Sequence, residues 1–156
     1  MGMTDVAQYF TAKATGDAVT AGSTASSNII DLGRTKPQIG VGQLPLTLTI
    51  RTIVPAGGSG TVQFALRKSA TQSAGALSGT RTQILLTPAM TKGSDSRIDI
   101  AGNYVLRVPL PYEADQQYLD IYAILTGTAT ITYEARIAEA PSDKHTQVMA
   151  SNVGNP

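Results

Sequence analysis

The chain contains no cysteine and no tryptophan, one histidine and two phenylalanines among 156 residues. Without cysteine there is no disulfide framework, no thiolate nucleophile and no cysteine metal site. A lone imidazole, His145, in a polar stretch beside Lys144, has no second ligand or oriented acid to work with, so metal binding and general-base catalysis both lose their usual carrier. Charge is also scarce, with 15% charged residues against about 25% in an ordinary soluble domain. Twelve Lys and Arg against eleven Asp and Glu leave a net charge of +1, too little for a broad field that collects phosphate, so nucleic acid is not expected as a partner. No apolar run approaches the ~18 residues of a membrane helix. Asp5 interrupts the only stretch that could open a signal peptide, and Val6 stands where a myristoylation pattern wants Ser or Thr, so the expectation is a soluble, unprocessed product without a membrane partner.

Small neutral residues take the place of charge: 20 Ala, 20 Thr and 15 Gly. Such a composition suits strands and closely apposed surfaces. The apolar period is two. Leu46, Leu48 and Ile50 alternate with Thr47, Thr49 and Arg51, and Val62, Phe64 and Leu66 with Gln63, Ala65 and Arg67. Further stripes are Leu106, Val108 and Leu110; Leu119, Ile121, Ala123 and Leu125; and Ile131, Tyr133, Ala135 and Ile137. Weaker strand candidates are Asn28 to Leu32, Thr82 to Leu86 and Arg97 to Ile100. About eight strands at this spacing predict an all-β chain, a jelly-roll-like antiparallel sandwich. The glycine-rich linker from Pro55 to Gly60 predicts a hairpin between the first two stripes, Thr126-Gly127-Thr128 a turn between the last two, and Lys68 to Thr80 a long surface loop.

The division along the chain reads as an N-terminal arm over residues 1–27, a sandwich over 28–140 and a C-terminal tail over 141–156. The arm includes DAVTAGSTASS, which buries little of itself, and its aromatics Tyr9 and Phe10 are then expected to fill pockets on a neighbouring molecule, a second subunit or another partner, the alternative being a short helix or edge strand packed on the same subunit. Deleting residues 1–16 would on this reading leave the melting temperature nearly unchanged. On the sandwich, outward Arg51, Arg67, Arg107, Asp120, Glu134 and Arg136 mix signs, as ordinary cross-strand pairs do. Tyr118 and Tyr122 share an outward strand face at i and i+4, either a subunit contact or, as in many sandwiches, a platform for carbohydrate.

A search for chemistry finds no phosphate loop, no Gly-x-Ser-x-Gly elbow and no EF-hand spacing. The acids Glu113 and Asp115 fall in a turn between strands, where carboxylates serve the backbone more often than a substrate. No enzyme activity and no cofactor are expected.

Specific strings carry a resemblance. Ser27-Asn28-Ile29-Ile30-Asp31-Leu32-Gly33, then Ile39-Gly40-Val41-Gly42 and the strand from Leu46 to Ile50, resemble the opening of the capsid cement (decoration) proteins of tailed bacteriophages, of the Bordetella podophage type. Asp17-Ala18-Val19-Thr20 and Gly60-Thr61-Val62-Gln63-Phe64-Ala65-Leu66 fit the same pattern. Arg107-Val108-Pro109-Leu110-Pro111 followed by Gln117-Tyr118-Leu119-Asp120-Ile121 is similar to their penultimate hairpin. The resemblance covers roughly residues 14 to 138. It implies a jelly-roll homo-oligomer, made in the host cytoplasm, that sits on the outer capsid surface of the virion and clamps neighbouring copies of the major capsid protein. A carbohydrate-binding or host-adhesion module is the alternative from another class.

Overall fold

Period-two stripes build five principal strands in a computed structural model that describes residues 8–12, 15–20, 22–32, 46–111, 114 and 117–139. They are β5 (Leu46–Gly57), β6 (Thr61–Ser69), β11 (Tyr104–Pro109), β12 (Tyr118–Leu125) and β13 (Thr130–Glu139). Shorter pieces complete the set: β1 (Gln8–Tyr9), β2 (Asp17–Thr20), β3 (Ser23–Ala25), β4 (Ile30–Asp31), β7 (Thr71–Ser73), β8 (Ala76–Ser78), β9 (Thr82–Leu86) and β10 (Met90–Thr91). In the first sheet β11, β5 and β13 lie side by side, and β1 and β2 follow one another along the far edge of β13. In the second sheet β6 and β12 form the centre, with β9 and β10 along the edge of β6 and β3 and β4 along the edge of β12. All pairings are antiparallel, and the chain crosses between sheets from β4 to β5, β5 to β6, β10 to β11, β11 to β12 and β12 to β13 while β6 turns back on β9 within one sheet, giving the order of a jelly roll.

The two inner faces supply one core. Leu48 and Ile50 from β5, Phe64 and Leu66 from β6, Leu119 and Ile121 from β12, and Tyr133 and Ile137 from β13 are buried in a single cluster. Phe64 and Tyr133 meet across the layer, ring centroids 4.7 Å apart. Inward residues alternate with Thr and charged residues on the outside, as a half-buried sheet requires.

Four local expectations are corrected. The run from Pro55 to Gly60 does not close a hairpin, because β5 extends through Gly57 in the first sheet and β6 belongs to the second. It is a corner between sheets, and the link from β12 to β13 is its twin. The corners are stitched together: Thr126 N donates to Thr61 O at 3.0 Å, and Thr128 N to Ser59 O at 2.8 Å. Gly60, at φ +131°, lies so close to the Thr126 carbonyl that an added Cβ would sit 2.0 Å from its oxygen. Likewise β11 and β12 fall in different sheets, so the segment from Arg107 to Ile121 is a crossing rather than a hairpin. The stretch from Lys68 to Thr80 is not a loop either. It continues β6 to Ser69 and then folds β7 against β8 around Ala74 and Gly75, both at positive φ, the two-residue turn that matches strand twist. Arg97 to Ile100 is not a strand: Ser96–Asp99 forms the one-turn helix α1, capped by Asp95, whose side chain accepts from Arg97 N.

The largest correction concerns the arm. Within the described residues, 8–12, 15–20 and 22–27 provide β1, β2 and β3, the outer strands of both sheets. Phe10 is 0% exposed and Val19 is buried in the same cluster as β5 and β13, so the segment completes its own subunit's core. The reason is economical: an edge strand needs only one apolar residue per turn of pleat inward, and its hydrogen bonds come from the partner's backbone. Asp17 ties the segment together, accepting from Ala12 N (3.0 Å), Ser27 N (2.6 Å) and Ser27 Oγ (2.7 Å). Residues 1–7 and the tail at 141–156 lie outside the described residues.

Candidate interaction faces

The four aromatic residues singled out from sequence do not converge. Tyr9 and Phe10 alternate on β1 and just after it, so Phe10 points into the core while Tyr9 lies half-buried on the outer face of the first sheet, paired with Arg136. As a buried core residue, Phe10 is unavailable as an anchor for a neighbour. Tyr118 and Tyr122 do share a face, the outer face of the second sheet, since Leu119, Ile121 and Ala123 between and beside them point inward.

On that outer face β12 pairs β6 in the register Tyr118 to Ser69, Asp120 to Arg67 and Tyr122 to Ala65. Arg67 Nε donates to Asp120 Oδ1 at 2.9 Å, and its guanidinium carbon lies 3.8 Å from the centre of the Tyr122 ring. The cross-strand pairing of opposite charges agrees with the sequence reading, but Asp120 is buried rather than solvated. The β7–β8 hairpin contributes to that cover, reaching the same face, where Ser69 Oγ donates to Ser78 O at 2.6 Å. Leu86, Ala65, Tyr122 and Ala25 form one row across the sheet, mostly apolar and with Leu86 exposed. Sequence could place Arg67 and Tyr122 on outward positions, whereas the stacking between them depends on the register of two strands far apart in the chain.

The outer face of the first sheet is more polar. Arg51 bonds both oxygens of Glu134 at 3.4 Å, and Arg136 Nη1 donates to Tyr9 OH at 3.4 Å. Tyr104 and Val54 are exposed there. Beside Val54 and Pro55 lies a shallow depression of about 220 Å³, floored by Thr130, Thr132, Ala18 and Thr20.

Every carboxylate whose side chain is described is already engaged: Asp17 by backbone and Ser27, Asp95 by Arg97, Asp99 by Lys92 and Gly93 N, Asp120 by Arg67, Glu134 by Arg51 and Asp31 by Gln117. The hydrogen bonds from Arg97 hold the Asp95 carboxyl below its usual range. Among the described residues no group of three or more His, Cys, Asp or Glu could hold a metal ion, and no helix is long and apolar enough to cross a membrane. Among the described residues Tyr133 is the one strongly perturbed phenol; burial, with Asp17 and Asp120 adding to it, pushes its titration far up, and its hydroxyl has no hydrogen-bond partner among them. Glu113, Asp115 and His145 lie outside the described residues.

A family model described as Bbp16 matches residues 13–137, from before β2 to Ile137 in β13. The chain belongs to the Bbp16 family. Bbp16 carries the name of a Bordetella phage protein, and membership fits a phage structural protein and a virion component. The matched span takes in strands of both sheets and both corners, and leaves out β1, Phe10 and the last two residues of β13. No curated protein matches the sequence.

Proposed function

We propose that this Bbp16 protein is a non-enzymatic virion component that assembles as a homo-oligomer on the outside of a phage capsid and cements neighbouring major capsid proteins. The observation that carries the reading is the state of the described polar groups. The carboxylates are tied to neighbours within the subunit, while both sheets present broad outer faces bearing tyrosines, arginines and threonines, the composition of a contact surface. Family membership supplies the phage context. A shell of many copies also multiplies weak contacts, so modest interfaces per subunit suffice to reinforce it.

The adhesion alternative leans on Tyr118 and Tyr122 as a sugar platform. Arg67 covers one face of the Tyr122 ring at 3.8 Å, which removes much of the stacking surface that platform would use. Mixing the purified protein with undecorated capsids and, separately, with a glycan array distinguishes the readings. Co-sedimentation with capsids and a blank array are expected; glycan binding without capsid binding would reverse the assignment.

A further inference from the structure

The outer face of the first sheet concentrates a charge imbalance that the chain as a whole lacks. Reading straight across it, one row holds Arg107, Thr49, Arg136 and Tyr9, and the next holds Tyr104, Arg51 and Glu134. Three arginines therefore stand against one glutamate on the described positions of a single face, in a chain whose net charge is +1. Of the three, only Arg51 has an acid partner among the described residues. Arg107 rests over the Tyr104 ring at 5.8 Å, and among the described side chains Arg136 reaches the Tyr9 hydroxyl. Arg107 and Arg136 are separated by β5 alone, about 10 Å at the usual strand spacing, close enough for one partner surface to meet both.

Sign decides what this face can meet. In a two-fold pairing of the face with itself, arginines without an acid partner among the described residues would be brought together, and like charges at a contact cost affinity. The second sheet differs, since its Arg67 is neutralised by Asp120. A nucleic-acid backbone calls for a longer basic track than two guanidinium groups. What two planar forks beside an exposed tyrosine do suit is a pair of carboxylates on a protein surface, each taken bidentately, with the ring as the apolar anchor. Tyr104 is 48% exposed and available for that role.

We propose that the outer face of the first sheet is the surface through which this protein grips an acidic patch on the capsid, with Arg107 and Arg136 as the carboxylate-binding pair and Tyr104 as the anchor. The proposal rests on the capsid-binding reading and names the face and the partner's chemistry within it.

The test uses full-length protein and undecorated capsids in a sedimentation assay. Arg107→Glu and Arg136→Glu should each weaken binding at least tenfold, and the wild type should weaken as salt is raised. Arg81→Glu, the same charge change on an exposed residue before β9, should bind like wild type. Thermal melts check that each variant is folded, and Arg107→Gln with Arg136→Gln, which remove charge without reversing it, should also weaken binding. Because the chain has no cysteine, Thr49→Cys gives a unique label between the two arginines; it should react with maleimide in free protein and be protected on capsids. If wild type binds but the Arg107→Glu/Arg136→Glu double variant binds within twofold of it, or if Thr49→Cys stays reactive on capsids, the face is wrong and the capsid reading stands. If wild type fails to bind capsids, or binds duplex DNA instead, both fall together.

Discussion

Arg67 and Asp120 face one another directly across β6 and β12, joined by two hydrogen bonds, on the side of the sheet turned away from the core, yet the Asp120 side chain is 1% exposed. Burial of such a pair makes it costly to break and cheap to replace. Removing one member leaves an uncompensated charge, so Arg67→Met should lower stability by about 3 to 5 kcal/mol, whereas Arg67→Met with Asp120→Leu should return close to wild type. Urea unfolding of the three proteins measures both numbers, and a double variant as unstable as the single one would contradict the account. Loss of the guanidinium also uncovers the Tyr122 ring, so the same single variant should raise tyrosine accessibility to quenchers.

The stitched corners make a second test. Gly60→Ala places a methyl 2.0 Å from the Thr126 oxygen, while Gly102→Ala meets nothing within 4 Å and bears only the left-handed backbone cost, about 1 to 2 kcal/mol. Gly60→Ala should therefore destabilise by clearly more than Gly102→Ala. Equal melting temperatures would mean that the corner relaxes freely.

Truncation now has the opposite expectation from the one the composition of residues 1–27 suggests. Phe10→Ala opens a hole in the shared core and should cost about 3 to 5 kcal/mol, lowering the melting temperature by on the order of 10 °C. Removing residues 1–16 should do at least as much, because it takes Phe10 and the hydrogen bond from Phe10 N to Ala135 O with it. Calorimetry on the isolated protein settles this without any capsid.

Tyr133 sets the alkaline limit. Its ordinary phenol value is 10.0, and burial first, then the charges of Asp17 and Asp120, raise it in the folded state. The unfolded chain releases that proton near pH 10 while the folded protein keeps it, so the stabilising contribution is complete below pH 10 and declines as pH rises beyond it. Tyr133→Phe should flatten that decline relative to wild type. At neutral pH it should leave stability unchanged or improved by about 1 kcal/mol, since it deletes a buried hydroxyl that has no partner. A marked loss at pH 7 would show that the hydroxyl is satisfied in solution.

What the sequence made legible follows from how strands announce themselves. Leu46 to Ile50, Val62 to Leu66 and Leu119 to Leu125 each bury one full face, so their alternation is visible without neighbours. Asp17 to Thr20 and Ser23 to Ala25 bury almost only Val19, and their strand character comes from backbone bonds to β13 and β12, which leave no trace in composition. The hairpin of Thr71 to Ser78 is polar for the same reason. Glycines near Ser59 indicated a reversal, yet whether the chain reverses within a sheet or crosses to the other depends on which strands are free to pair. For the candidate site, the outward phase of Tyr118 and Tyr122 was readable, as was that of Arg107 and Arg136. Tyr9 and Phe10 were adjacent in sequence but divided by the pleat, and the helix at Ser96 was signalled by Asp95 only to a reader looking for a cap.

The partners of the first strands are made last. Thr20 waits for Thr130 and Ala25 for Tyr122, so at ~5 to 20 residues per second a ribosome delivers the beginning of this chain on the order of ten seconds before anything exists for it to pair with. On a nascent chain that stops short of β13 the first sheet lacks the strand that joins β1 and β2 to β5. A prematurely terminated product therefore lacks a finished first sheet, and with it the outer face that carries Arg136.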